Sequence, residues 1–143
     1  MNRTYLHKNN YEHQWFYIDV ENQTLGRIST QIASNLKNKY SIYYTPYQMS
    51  KCYIIILNAD KIKISGKKES QKLYKRHSGR PGSLKEETFK QLQQRLPKRI
   101  IEKSIKGMLP KNALGRRLFT QLKIYCGSNH PHKAQKPIPL PIK

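Results

Sequence analysis

The residues best suited to chemistry sit in one short stretch, His77-Ser78-Gly79-Arg80-Pro81-Gly82, flanked by Tyr74, Lys75, Arg76 and Lys85. Glycines beside cations can cradle a phosphate for an enzyme, or grip a nucleic-acid backbone and do no chemistry. A Walker loop needs GxxxxGK followed by Ser or Thr between strand and helix, and this stretch lacks it. Gly26 stands alone after the first apolar run, so no GxGxxG supports a dinucleotide site. The stretch does hold what a phosphate backbone requires. Arg76 and Arg80 can fork onto phosphate oxygens, and Gly79 and Gly82 let the main chain approach closely. Pro81 stiffens the loop, and Tyr74 and His77 are rings able to stack on an unpaired base. An ordinary mobile surface loop is the plain alternative. Lys67 and Lys68 open the same basic region.

A second segment runs from Lys106 through Gly-Met-Leu-Pro to Lys111, Asn112, Leu114, Gly115, Arg116 and Arg117. A helix stops, the chain turns, and a new helix is expected with an arginine pair in its first turn. The helix dipole disfavours cations there, so a compensating anion is implied; a plain connector with solvated charges is the alternative. Third is His130-Pro131-His132, followed by Lys133 and Lys136. Two histidines at i, i+2 are too few for a metal site when no carboxylate or cysteine is close in sequence. Stacking or hydrogen bonding to RNA suits them better. No cofactor or metal site is expected.

Catalytic groups are sparse. Of the eight acids only Glu86 and Glu87 are neighbours, and they fall where a helix is expected to begin, a position in which carboxylates help structurally. Metal-dependent nucleases gather several carboxylates around the ion. A histidine-based ribonuclease stays formally open, because five histidines are present.

Charge dominates the composition. The 143 residues carry 28 Lys and Arg against eight acids, a formal +20, with 36% apolar residues. Such a surface repels itself unless a polyanion neutralises it. Residues 1–60 hold six cations and four acids, whereas residues 61–143 hold 22 and four. A polyanion should therefore contact mostly the second part. Tyr53 to Leu57 is the longest apolar run and is far too short to span a bilayer, so nucleic acid is favoured over membrane. Cys52 and Cys126 lack CxxC spacing, which suits two free thiols in a reducing compartment. The N-terminus shows neither a signal-peptide core nor a convincing transit peptide, so the protein is expected to work where it is made.

The elements that must position these segments follow from periodicity. Residues 1–13 read as an extended arm, 14–126 as a single α/β domain and 127–143 as an extended basic tail whose prolines exclude helix and sheet centre. Trp15 to Val20 is aromatic and β-branched, hence a strand. Thr24 is placed to cap a helix with Leu25, Ile28, Ile32, Ala33 and Leu36 on one face, ending near Lys37-Asn38-Lys39. Tyr53 to Leu57 reads as a strand covered on both faces, completing a right-handed βαβ unit. Lys61 to Ile64 alternates as a short strand, and a basic loop is expected from Gly66 to about Lys85. Helices are expected over Thr88–Leu96, around Ile100, Ile101, Ile105 and Met108, and around Leu114 and Leu118. A last strand is expected over Leu122–Tyr125.

Taken together, several strings resemble one family, ribosomal protein thirteen of the large subunit. They are Trp15-Phe-Tyr-Ile-Asp19, Thr24-Leu-Gly-Arg27, Tyr44-Thr-Pro46, Ile56-Leu-Asn-Ala59, Tyr74-Lys-Arg-His-Ser-Gly79, Lys106-Gly-Met-Leu-Pro-Lys-Asn112, Leu114-Gly-Arg116 and His130-Pro-His132 with Ala134-Gln135. Each is short, but they run in the family's order over roughly residues 14–137. The resemblance implies an α/β fold with a small parallel sheet of about four strands and helices on both faces. It also implies structural binding to large-subunit ribosomal RNA, an early role in subunit assembly, neighbouring ribosomal proteins as partners and no catalysis. Two departures stand out. Met49-Ser-Lys-Cys52 replaces a usual Gly-Asp pair before the buried strand, and Ser83 stands where a second glycine is frequent.

Heavy use of Lys, Ile, Asn and Tyr points to an AT-rich genome. The wording is similar to algal plastid versions, so a chloroplast protein in the stroma is expected, with the bacterial cytoplasm as the alternative. The reading is a structural RNA-binding protein with no small-molecule substrate. Its rivals are an RNA-acting nuclease and a general nucleic-acid-compacting protein.

Overall fold

The computed structural model describes residues 13–42 and 44–140. The expected N-terminal arm therefore lies outside the described residues, save for His13. In chain order the elements are β1 (Gln14–Asp19), α1 (Leu25–Leu36), β2 (Cys52–Leu57), α2 (Lys68–Gln71), β3 (Leu73–Arg76), β4 (Lys85–Thr88), α3 (Phe89–Arg95), α4 (Pro97–Met108), α5 (Ala113–Thr120), β5 (Leu122–Ile124) and β6 (Ile138–Pro139). Short 3-10 turns occupy Ala59–Lys61 and His132–Gln135.

Four strands form a parallel sheet in the order β5-β2-β1-β6. Strand β2 is central, and its register sets Ile54 against Phe16 and Leu122, and Ile56 against Ile18 and Ile124. Ile54, Ile55 and Ile56 are all fully buried, which is why this run reads as unbroken apolar sequence with no alternation. Side chains alternate across a strand. Phe16, Ile18, Val20, Ile54 and Ile56 therefore share the face that carries the main core. Helices α1 and α4 pack on each other over this face, supplying Leu25, Ile28, Ile32 and Leu36 from one and Ile100, Ile101 and Ile105 from the other. Ile55 belongs to the opposite face, and α5, which buries Leu118, packs beside β5. Helices thus cover both faces of an α/β sheet. Each fully buried isoleucine contributes about 1.5–3 kcal/mol relative to exposure.

Local chemistry explains the element ends. Lys37 caps α1, and Asn38 follows at φ 56°, the left-handed position that asparagine tolerates best after glycine. Thr24 occupies the N-cap of α1 but makes no side-chain cap bond. Helix α3 is better closed: Thr88 accepts from the Gln91 N–H while the Gln91 side chain accepts from the Thr88 N–H, a full capping box. Asn112 caps α5 by accepting from the Gly115 N–H at 2.8 Å. Pro97 sits at the first position of α4, where its missing N–H costs nothing.

Several expectations change. Lys61 to Ile64 is not a strand. A 3-10 turn takes in Lys61 and only Lys63 bridges back, to Thr24, because two backbone bonds tie Lys63 to Gln23 and Leu25 at the start of α1. The basic loop is shorter than expected, since α2 and an antiparallel hairpin, β3–β4, take up most of residues 68–88. Glu86 and Glu87 lie in β4, not at a helix start: each faces a cross-strand neighbour, and Thr88 supplies the cap. Arg116 and Arg117 fall at the fourth and fifth residues of α5, past the first turn, so the dipole penalty argued above is weaker. The tail from residue 127 is proline-rich and irregular, and it carries β6 to the sheet edge. There Ile138 and Pro139 align with Phe16 and Tyr17, and Leu140 packs on the core. An edge is where a strand proline is tolerated.

Before β2, where the Gly-Asp pair was expected, Ser50 takes a structural part. Its hydroxyl donates to the Leu36 carbonyl at the end of α1. Its own carbonyl accepts from buried Gln121 Nε2 at 2.7 Å.

Candidate nucleic-acid interface

The hairpin carries the motif that opened the sequence reading. Its register sets Arg76 opposite Lys85, Lys75 opposite Glu86 and Tyr74 opposite Glu87. One face holds Lys75 and Glu86, paired at 2.8 Å. The other holds Tyr74, Arg76, Lys85 and Glu87 and turns toward α3 and α4. The connecting loop is tied by its own hydrogen bonds. Gly79 N–H donates to His77 Nδ1 at 2.9 Å. Ser83 Oγ donates to the Arg80 carbonyl at 2.6 Å and accepts from the Ser78 N–H at 3.3 Å. Gly79 and Gly82 take φ of 95° and 73°, which side chains resist. Ser83, in place of a frequent glycine, therefore closes the loop through its hydroxyl and leaves Arg76, His77 and Arg80 exposed on it.

Tyr74 requires a correction. It is 9% exposed, packs on Phe89 at 6.5 Å between centroids, and has Lys103 Nζ 5.0 Å and Lys72 Nζ 5.4 Å from its ring. A ring so enclosed has no free face for a base, because it fills the space between hairpin and α4. Burial also raises its pKa, keeping the hydroxyl protonated.

Between the hairpin and the helices lies a narrow cleft of about 30 Å³, lined by Tyr74, Arg76, Lys85, Glu87, Leu92, Arg95, Leu96, Arg99 and Lys103. Arg95 holds Glu87 with both carboxylate oxygens at 2.7 Å from one guanidinium nitrogen. That bond, with Arg76 and Lys103 nearby, holds the Glu87 carboxyl below its ordinary value. Sequence reasoning missed Arg95, Arg99 and Lys103. The signal was present: Arg99, Lys103 and Lys106 fall at i, i+4 and i+7, one stripe of α4, and all three are exposed. At 1.5 Å per residue the stripe spans about 10 Å, from the hairpin toward the turn after α4.

That turn is the second segment. Leu109 is buried and anchors it, while Lys106, Lys111, Arg116 and Arg117 are exposed. Asn112 is also exposed, but its carboxamide oxygen is engaged as the α5 cap. Lys67 and Lys68 lead into α2, exposed as well.

The third segment forms a separate group. His132 lies against Trp15 at 5.0 Å between centroids, its Nε2 is 2.8 Å from the Tyr125 hydroxyl, and His130 stacks on it at 6.4 Å. Trp15 in turn stacks on Tyr53 at 4.5 Å. Desolvation first, then His130 and Lys123, lowers the His132 pKa below its ordinary value. His132 therefore fastens the tail to the sheet, whereas Lys133 and Lys136 are exposed. A wider concavity of about 400 Å³, walled by Phe16, Asn35, Tyr40, Tyr44, Gln48 and Cys52 among others, lies beyond the end of α1. Tyr40 and Tyr44 are exposed there. Tyr44 and Thr45 of the Tyr44-Thr-Pro46 string and the Met49–Cys52 departure fall on its wall, although neither was read as a site.

Among the described residues no group of three His, Cys, Asp or Glu is placed to hold a metal ion, and no helix is long and apolar enough to cross a membrane. Both cysteines are free. Burial pushes the Cys52 thiol up to about 12, so it is a core residue and a poor nucleophile.

The sequence model of the family "Ribosomal protein L13" matches residues 13–131. A Synechococcus elongatus protein named "Large ribosomal subunit protein uL13" is 55% identical over 144 residues, covering 100% of this chain and 95% of its own length. A Prochlorococcus marinus protein of the same name is 59% identical over 126 residues, covering 88% of this chain and 84% of its own. A third, from Synechocystis, is 53% identical over 143 residues, covering 99% and 95%.

Proposed function

The chain belongs to the ribosomal protein L13 family, and from that premise we propose that it is a structural constituent of the large ribosomal subunit, holding large-subunit ribosomal RNA through the basic face built on the hairpin, α4 and α5. One observation supports this residue assignment above the others. Every Lys and Arg of the three sequence segments is exposed, while the aromatic and asparagine members Tyr74, Asn112 and His132 are engaged within the protein. The cations are thus presented and the remainder position them. The RNA-facing set is Lys67, Lys68, Lys75, Arg76, His77, Arg80 and Lys85 from the hairpin region. To these are added Lys106, Lys111, Arg116 and Arg117 from the α4–α5 turn, and Lys133 and Lys136 from the tail.

The mechanism is electrostatic and steric. Exposed cations displace counterions from phosphates, which supplies most of the affinity and makes it salt-dependent. A folded scaffold that fixes the spacing of those cations selects RNA by shape. Such a protein supports subunit assembly by stabilising one RNA fold, and it makes or breaks no bond. Neighbouring large-subunit proteins are its other partners. The Lys, Ile, Asn and Tyr usage supports a chloroplast ribosome as its place of work, while cyanobacterial relatives fit a chloroplast or a bacterial ribosome alike.

Sedimentation tests the proposal. The protein is expected to travel with large ribosomal subunits through a gradient at moderate salt. A protein found wholly at the top of that gradient would refute it.

A further inference from the structure

We propose that the cleft between the β3–β4 hairpin and helices α3–α4 is a binding site for a single phosphate group. The inference deepens the RNA-binding reading and rests on it for the origin of that phosphate, the RNA backbone. Four cations, Arg76, Lys85, Arg99 and Lys103, line the cleft, and none has an ion-pair partner among the described residues. The one carboxylate there, Glu87, is already held by Arg95 through both oxygens. It fixes the α3 end of the cleft and lies near Arg76 and Lys103 as well, so a single carboxylate faces the five cations that line the cleft. Like charges converge in this way at a cost unless an anion joins them.

The second observation is independent of charge. The Tyr74 hydroxyl is buried and has no hydrogen-bond partner within the described protein, although buried polar groups are nearly always paired. A protonated phenol beside a cationic cleft is a donor for an anionic oxygen. The cleft is narrow, about 30 Å³, so it suits the oxygens of one phosphate better than a base or nucleoside, and the rest of the group stays outside. Arginine forks from both walls match such oxygens. The hairpin supplies Arg76 and α4 supplies Arg99, so a bound phosphate would pin the hairpin onto the helix.

The test uses the full chain and inorganic phosphate. Tm is compared in sodium phosphate and in sodium chloride at equal ionic strength. The expected result is a higher Tm in phosphate for the unaltered protein, with that difference lost in the double substitution R99Q/K103Q. Tyr74→Phe removes only the hydroxyl and keeps the ring in place. It is expected to hold its Tm in chloride and to lose part of the gain in phosphate. The salt dependence of binding to large-subunit ribosomal RNA then identifies the source. A slope shallower by roughly 0.7–0.9 for each lost contact assigns the site to an RNA phosphate. An unchanged slope, with the phosphate gain lost, keeps the site and assigns it to free phosphate. Equal phosphate gains in the unaltered protein and every variant would overturn the proposal. A protein that binds no ribosomal RNA would defeat the function proposed above, and the phosphate comparison would still decide the site.

Discussion

Gly115 packs its bare α-carbon against the Pro110 carbonyl so closely that a Cβ there would lie 1.8 Å from that oxygen. The contact is with backbone at the head of α5, so it cannot be relieved by a side chain swinging away. Gly115→Ala is therefore expected to cost about 1–3 kcal/mol, as overpacking does, and to shift Arg116 and Arg117. Gly107 in α4 meets nothing within 4 Å, so Gly107→Ala should stabilise the free protein by up to about 1 kcal/mol through helix propensity. Urea unfolding of the two variants checks the contrast. Equal midpoints would show that the Pro110 contact does not constrain the turn.

Arg76 and Arg80 stand exposed on and beside a loop braced by Ser83 and His77. Replacing both by Ala should leave Tm near its original value and weaken RNA binding. The plot of log K against log salt should become shallower by roughly 0.7–0.9 per lost phosphate contact. An unchanged slope would remove these residues from the interface.

His132 carries a pH dependence of defined sign. The folded protein holds its pKa below the ordinary 6.5, so the unfolded chain takes up the proton first as pH falls. Its contribution is full above about 6.5, declines as pH drops from there toward the lowered folded value, and then levels. Tm measured between pH 7.5 and 5 should fall less in His132→Gln than in the unaltered protein. Parallel curves would mean that the ring is not held neutral against Trp15.

Truncation after Cys126 removes β6, the His132 contact to Trp15 and the packing of Leu140. The expected outcome is a lower Tm with unfolding still cooperative, because β5, β2 and β1 keep both helical layers. RNA affinity should fall as well, with Lys133 and Lys136 gone. A truncated protein with an unchanged Tm would mean that the tail contributes nothing to the sheet.

How much of this was legible in the sequence depends on the kind of signal. The central strand was plain because Ile54, Ile55 and Ile56 are buried on both faces, and α4 was plain because Ile100, Ile101 and Ile105 repeat at helical spacing. The β3–β4 hairpin was hidden: its charged pairs Lys75–Glu86 and Arg76–Lys85 look like solvated loop until cross-strand register is known. Strand β6 was hidden too, since Ile138-Pro139 acquires its role only from the edge of β1. Exposed cations of the site were readable from charge and motif. The buried state of Tyr74 was not, because it depends on Phe89, Lys72 and Lys103 meeting across the fold. Arg95 was passed over for the same reason, since its partner Glu87 lies on the hairpin.

The most direct measurement compares binding of the protein to folded large-subunit ribosomal RNA with binding to a random duplex of equal length, across a series of salt concentrations. The account predicts a steep salt dependence for both and a large, persistent preference for the ribosomal RNA, with neither RNA cleaved. Equal affinity for the two at every salt concentration, or turnover of either, would contradict it.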